Sequence, residues 1–294
     1  NAKLFYEIIR KLPEGNIEFF TDESKKLHIK NLNSEFELEY LEEEKFPFAK
    51  EVKGEKFSFD RDILCNMIKK SSSCVSREST KNALRGLYIE INKNDIRLVG
   101  SDGYRIAITK ENIINEQEKD ILVPVENILN IEKILREEKE TVELIIGEKD
   151  IKFELKEGEI YLKLLEGTYI DYKKPFLEEM KTEVIINKND LINAVERMYL
   201  LSPEKKNNKI IMRLINNLLK IETNSDIGYA KEEIIVDKMG EDNEFAINCK
   251  FLLDAIKNID GEELKLKIGK NERFILIEEV ENDTSQFLIM NLKK

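Results

Sequence analysis

Apolar residues recur at helical spacing in Phe5, Ile8, Ile9 and Leu12, and then at strand spacing over 17–19 and 27–29. The first group marks a one-faced helix and the others a pair of strands joined by a polar turn. The same order returns as Ile128, Ile131 and Leu135, followed by 142–146 and 151–153. It returns again as Leu252, Ala255, Ile256 and Ile259, followed by 264–268 and 274–277. From Phe5 to Ile128 to Leu252 the interval is roughly 124 residues, so one supersecondary unit is used in tandem. A second pattern precedes the second and third copies. Residues 57–70 and 185–198 each read as a strand entering a helix through a polar capping cluster. Each leads into hairpins, 87–91 with 96–99 and 210–214 with 218–221, bent at Asn-rich turns.

A complete unit is therefore helix, sheet, helix, sheet, and the fold class is α+β with tandem pseudo-symmetric modules, each with two helices packed on antiparallel sheets. The domains expected are 1–54, 55–182 and 183–294, with joints at 50–54 and 181–182. The first holds only the back half of a unit. Its first residues, Asn1-Ala2-Lys3-Leu4, carry neither an initiator Met nor a signal peptide. The expectation is a chain that begins mid-protein, without a front half of roughly 70 residues when measured against the complete units.

Chemistry-bearing residues are sparse. Cys65, Cys74 and Cys249 are unevenly spaced in a chain with no export signal, which points to free buried thiols and no metal site. His28 is the only histidine and lies between Leu27 and Ile29 on a strand. No P-loop, dinucleotide fingerprint, metal-ligand cluster or nucleophile elbow is present, so no cofactor is expected. No apolar run approaches the ~18 residues of a membrane helix, and a cytoplasmic location is expected. The net charge of −11 argues against a chain coated with phosphate-binding cations. Distribution matters more than the sum, however, because several predicted helices lean basic: Lys3, Arg10 and Lys11, then Arg61, Lys69 and Lys70, then Lys250 and Lys257.

Leu98-Val99-Gly100-Ser101-Asp102-Gly103-Tyr104-Arg105-Ile106-Ala107 resembles the Thr-Asp-Gly-His-Arg-Leu-Ala signature of the bacterial DNA polymerase III β subunit, the replicative sliding clamp. Other landmarks are collinear. Residues 2–15 are similar to the helix and Leu-Pro-Glu-Gly segment of that family's first domain, and 166–174 to its Gly-Arg-Phe-Pro-Asp-Tyr stretch. Residues 200–205 resemble Ile-Leu-Ser-Asn-Glu-Lys, Ile247-Asn248 the Phe-Asn before the last helix, and 287–293 the terminal Tyr-Val-Val-Met-Pro-Met-Arg.

The resemblance implies a DNA-clamp fold and a non-enzymatic processivity factor. Such a factor is a head-to-tail homodimeric ring, helices inside and sheets outside, that encircles duplex DNA without sequence preference and tethers the replicative polymerase. A ring held topologically needs only weak phosphate contacts, and an acidic exterior does not interfere with basic inward helices. Arg10, Lys69, Lys70, Arg197, Lys250 and Lys257 become the candidate DNA-facing cations.

Polymerase and clamp loader are implied to insert short peptides rich in Gln, Leu and Phe into a groove between the second and third modules. The matching positions are Leu84, Ser101, Gly103, Tyr104, Arg105, Ile106, Ile170, Lys174, Pro175, Asn248, Phe251, Leu288, Met290, Asn291, Leu292 and Lys293. Here Tyr104 stands for the family's usual His and Ile170 for its Pro, and Met290-Asn291-Leu292-Lys293-Lys294 for Met-Pro-Met-Arg-Leu. A groove kept in place with a changed peptide preference is the expectation. Leu200 and Leu201 are implied on one side of the dimer joint and Phe36 on the other. Without the front half of the first module the 294-residue chain is expected to close rings poorly.

Two other classes are compatible with the same residues. A peptide-binding scaffold of the same fold need not close a ring, and a hydrolase would need carboxylates such as Asp102 and Asp171 to converge in one pocket. Read without the family, Ser101-Asp102-Gly103 closes a turn, and Leu288, Met290 and Leu292 form one face of a strand.

Overall fold

The computed structural model describes residues 1–40, 51–138 and 140–293. Contacts divide the chain into two units, 1–50 and 51–294. Lys50 of the expected first joint and Lys294 lie outside the described residues.

In the first unit, α1 (Ala2–Lys11) precedes β1 (Glu18–Thr21), β2 (Lys26–Asn31) and β3 (Ser34–Glu39), an antiparallel sheet in that order. Asn1 caps the helix, its side chain accepting the Leu4 N–H at 3.1 Å. Phe5 meets Phe19, the ring centroids 5.8 Å apart, as the apolar stripe required. His28 is mostly buried on β2. It stacks on Phe20 and bonds Asp22 at 2.9 Å, and that bond, with Ser24, holds the Asp22 carboxyl well below the usual range.

The second unit repeats one order of elements. Its first pass is β4 (Glu55–Asp60), α2 (Arg61–Ser72), the single turn α3 (Asn82–Arg85), β5 (Gly86–Ile91), β6 (Asp95–Ser101), β7 (Arg105–Asn112), β8 (Lys119–Pro124), α4 (Val125–Leu135), β9 (Thr141–Ile146), β10 (Asp150–Glu154) and β11 (Glu159–Lys163). Its second is β12 (Met180–Asn187), α5 (Lys188–Leu201), β13 (Lys209–Ile215), β14 (Leu218–Ser225), β15 (Gly228–Ile235), β16 (Asp237–Gly240), β17 (Asn243–Asn248), α6 (Cys249–Lys257), β18 (Glu263–Gly269), β19 (Phe274–Glu279) and β20 (Ser285–Met290). Equivalent strands pair alike: β4 with β9 and β12 with β18, β5 with β8 and β13 with β17, all antiparallel.

Local chemistry starts the helices where the polar clusters stand. Asp60 accepts the Ile63 N–H at 2.9 Å, Asn187 those of Asn189 and Asp190, and Asn248 that of Phe251 at 3.1 Å. Their apolar stripes then bury side by side, α2 on α4 and α5 on α6. One core gathers Phe57, Leu64, Ile68, Leu98, Ile128 and Phe153, and another Leu191, Val195, Met212, Leu252, Ile256 and Phe287. Tandem modules of two helices against antiparallel sheets are thus present.

Pairing of β20 with β7 joins the two passes into one nine-stranded sheet, ordered β16-β12-β18-β19-β20-β7-β6-β5-β8. The helical cores cover one of its faces. On the opposite face a third cluster forms from Val99, Ile106, Ile108, Tyr172, Leu276 and Leu288, overlain by Tyr169, Ile170 and Phe176 from the connection between β11 and β12.

The three thiols are free and buried, as expected. Burial pushes Cys65 up to about 11 and Cys74 and Cys249 up to about 12, so each stays protonated at pH 8. Ellman's reagent at that pH is expected to label none of them in the folded protein and all of them after denaturation. An unfolded thiol ionises at a lower pH than these, so their stabilising contribution is complete below the ordinary thiol pKa and is lost as pH rises through the folded values.

Candidate partner-peptide groove

Between β6 and β7 the chain reverses over Ser101–Arg105, and the side chains of Ser101 and Asp102 hold the turn. Asp102 accepts the N–H groups of Tyr104 and Arg105 on one carboxylate oxygen, at 2.9 and 3.1 Å. Ser101 Oγ accepts the Gly103 N–H at 3.1 Å and donates to the Arg105 carbonyl at 2.9 Å. Gly103 has φ +92°, a left-handed conformation in which a side chain would be strained. The turn holds Tyr104 outward, 66% exposed, and sends Arg105 inward.

Arg105 ties this turn to α6. Its Nε donates to Asp102 at 2.9 Å, its Nη1 to Asp254 at 2.7 Å, and its guanidinium lies 4.2 Å from the centre of the Phe251 ring. Asp254 was not among the expected site residues. It sits three positions after Phe251 on α6 and so shares its face, and that spacing is the signal from which it was readable.

The expected groove residues fall into two neighbouring groups. Leu84 lies against Gly103 of the turn, at 3.7 Å from where a Cβ would stand. Ile106 and Leu288 face each other across β7 and β20 and share the outer apolar cluster with Ile170. Met290 donates its N–H to the Tyr104 carbonyl, Asn291 to Arg273 and Leu292 to Ala246, which carries the end of the chain past the turn. Ser101, Ile106, Asn248 and Leu288 are buried. Their part is floor and scaffold, while Tyr104 and Met290 offer exposed surface, Ile170, Phe251 and Leu292 partly buried surface, and Arg105 is mostly buried. Lys174 and Pro175 open a short 3-10 turn on the segment that carries Ile170. The side chain of Lys293 is exposed, and its carbonyl accepts Lys209 Nζ.

The candidate cations are less uniform than their spacing implied. Lys69 and Lys250 are exposed and make no ion pair among the described residues. Arg10 pairs with Glu7, Arg197 with the partly buried Glu232 at 2.5 Å, and Lys257 with Glu196 at 2.6 Å, the three cations themselves being exposed. Lys70 is a correction. It is only 7% exposed, and its Nζ donates to Asp260 at 2.5 Å and Ser285 at 3.2 Å, so it crosses the joint between α2 and the second pass instead of facing solvent. An ammonium that is itself buried and held by two partners is not free for a phosphate, although the Asp260 carboxylate is exposed.

At the expected dimer joint, Leu200 is 77% exposed at the end of α5, and Leu201 lies against Gly228. Beside them β15 is an edge strand of the sheet β15-β14-β13-β17, with Tyr229 and Ile235 exposed. Phe36 stands on β3, the edge strand of the first unit's sheet, and is 37% exposed. The carboxylates of the hydrolase reading do not converge. Asp102 is spent on its own turn, and no contact joins it to Asp171 among the described residues.

The sequence matches the DNA polymerase III beta subunit N-terminal domain over residues 1–50, the central domain over 58–171 and the C-terminal domain over 174–293. A beta sliding clamp of Bacillus subtilis is 26% identical over 298 aligned residues, covering 99% of this chain and 79% of that protein. One from Staphylococcus epidermidis is 28% identical, covering 98% and 78%. Among solved structures, a DNA polymerase sliding clamp from B. subtilis superposes with a TM-score of 0.92 at 26% identity over 100% of this chain and 79% of that one. The DNA polymerase III subunit beta of Pseudomonas aeruginosa gives 0.91 at 28% identity, covering 99% and 81%. Collinear domain matches and a shared fold across the described modules lead to one conclusion: the chain belongs to the DNA polymerase III beta subunit family, and its function is that of a DNA sliding clamp.

Proposed function

We propose that the protein works as a non-catalytic tether: a ring, homodimeric when the protein is full-length and including modules at 1–54, 55–182 and 183–294, that encloses duplex DNA in the cytoplasm and holds the polymerase and clamp loader by short peptides. A tethered polymerase that lets go of its template rebinds at high local concentration, so processivity arises without any bond being made by the clamp. Lys69 and Lys250, with Arg10, Arg197 and Lys257 as exposed cations in pairs that a phosphate can exchange into, supply the weak electrostatic attraction that sliding tolerates. The edge strands β15 and β3, flanked by Leu200, Leu201 and Phe36, suit strand pairing and apolar contact between copies.

The observation that carries the peptide reading is the outer apolar cluster of Ile106, Ile170 and Leu288, bounded at one end by the Ser101–Arg105 turn clasped to α6. It combines an apolar floor with a few orienting polar groups, as a peptide pocket requires. A fluorescent peptide carrying Gln, Leu and Phe is expected to bind with micromolar affinity. The double substitution Ile170→Glu and Met290→Glu, at positions outside the helical cores, is expected to weaken it by more than roughly tenfold, about 1.4 kcal/mol, with the melting temperature preserved. Unchanged affinity in the double variant would remove the groove from this position.

A further inference from the structure

Beside the groove lies a cavity of about 550 Å³, between the outer face of β5 and β8 and the connection that follows β11. The proposed function uses only its Ile170 edge. One wall is aromatic: the rings of Tyr88 and Tyr169 stack with centroids 4.5 Å apart and planes 6° from parallel, and Tyr172 stands edge-on to Tyr169. Hydrogen bonds from Tyr169 to the Val99 carbonyl and from Tyr172 to Glu90 lock two of these rings in place. A preformed aromatic wall in a cleft of this size is the usual setting for a bound group with a flat face.

The charges around the wall are unbalanced. Both lysines at the cavity are already engaged, Lys119 with Glu55 at 2.8 Å and Lys173 with Glu90 at 2.7 Å. Asp120, Glu148 and Asp171 also line it, and none has an ion pair among the described residues. Three exposed carboxylates without an ion pair, of which Asp120 is hydrogen-bonded to Tyr88, line the same cavity as the stacked tyrosines and favour a cation. A guanidinium fits better than an ammonium, because its plane stacks on an aromatic ring while its fork meets a carboxylate. Ile170 lines this cavity and also packs against the apolar cluster of the groove, so the two spaces share a wall.

We infer that the cavity takes an arginine side chain carried by the partner's segment, next to the apolar residues that occupy the groove. This rests on the reading of the groove as a peptide site. Fluorescence polarisation would compare peptides that share the apolar core and carry, at either end, arginine or its neutral isostere citrulline. At one end the arginine peptide binds roughly threefold to tenfold tighter. That advantage disappears in the variant Asp120→Asn, Glu148→Gln, Asp171→Asn, whose affinity for the citrulline peptide is unchanged. Equal binding of arginine and citrulline peptides at both ends overturns the inference, as does an advantage that survives in the variant. If no peptide binds, the groove reading fails and N-acetylarginine amide decides the cavity by itself. Shifts of the Tyr88 and Tyr169 ring signals in NMR that are lost in the triple variant support the site, and their absence in the unmodified protein overturns it.

Discussion

Gly100→Ala is expected to destabilise the protein by about 3 kcal/mol, through a single methyl group on a strand. Gly100 lies on β6 opposite Ala107 of β7, under the last turn of α2. A Cβ there would stand 2.0 Å from the Ser71 carbonyl oxygen and 2.8 Å from Val75 Cγ2. The helix cannot retreat cheaply. Ser71 Oγ donates to the Leu98 carbonyl at 2.8 Å and bonds Thr109 at the same distance, so lifting the turn breaks buried hydrogen bonds as well as packing. For a unit of this size the melting temperature is expected to fall by roughly 6–12 °C. Gly158→Ala is the control, since nothing lies within 4 Å of its missing Cβ, and it is expected to melt within about a degree of the parent. Equal melting of the two variants would contradict the close approach of α2 to the sheet.

The second large effect concerns association. Leu200→Glu is expected to weaken dimerisation roughly thirtyfold, about 2 kcal/mol, because it places a charge where apolar contact between copies is proposed. At 77% exposure Leu200 contributes little to its own core, so the monomer fold and its circular dichroism should be unchanged. Phe36→Glu, from the other side of the joint, is expected to weaken the dimer comparably. The two together should cost less than the sum, since each removes the same contact. Sedimentation equilibrium of the native full-length protein measures all three. Additive losses would separate Phe36 from Leu200, and an unaffected dimer would move the interface elsewhere.

Much of this architecture was legible in the chain because it is written locally. The helical stripes of α1, α4 and α6 and the caps Asp60, Asn187 and Asn248 act over a few residues, and the Gly103 turn is confined to its own atoms. What local pattern did not carry is whatever depends on a partner far along the chain. Lys70 follows Lys69 in the sequence and reads like it, yet one is buried and the other exposed. The difference is made by Asp260 and Ser285, which arrive 190 and 215 residues later. The fusion of two sheets through β20 and β7 is equally invisible, since neither strand's alternation names its neighbour. The same holds for the groove. Its turn was recognisable from Ser101-Asp102-Gly103, whereas the clasp of Arg105 on Asp254 spans 149 residues and only the fold brings it together.

The claim on which the account turns is topological, that this protein stays on DNA because it surrounds it. The direct measurement is retention of the native protein, loaded by its cognate clamp loader onto a nicked circular plasmid, through gel filtration before and after the plasmid is cut once. The account predicts co-elution with the circle and loss from the linear form, since weak phosphate contacts do not prevent a ring from sliding off an end. Equal retention on circular and linear DNA would contradict it, and would mean that the protein is held by contacts rather than by enclosure.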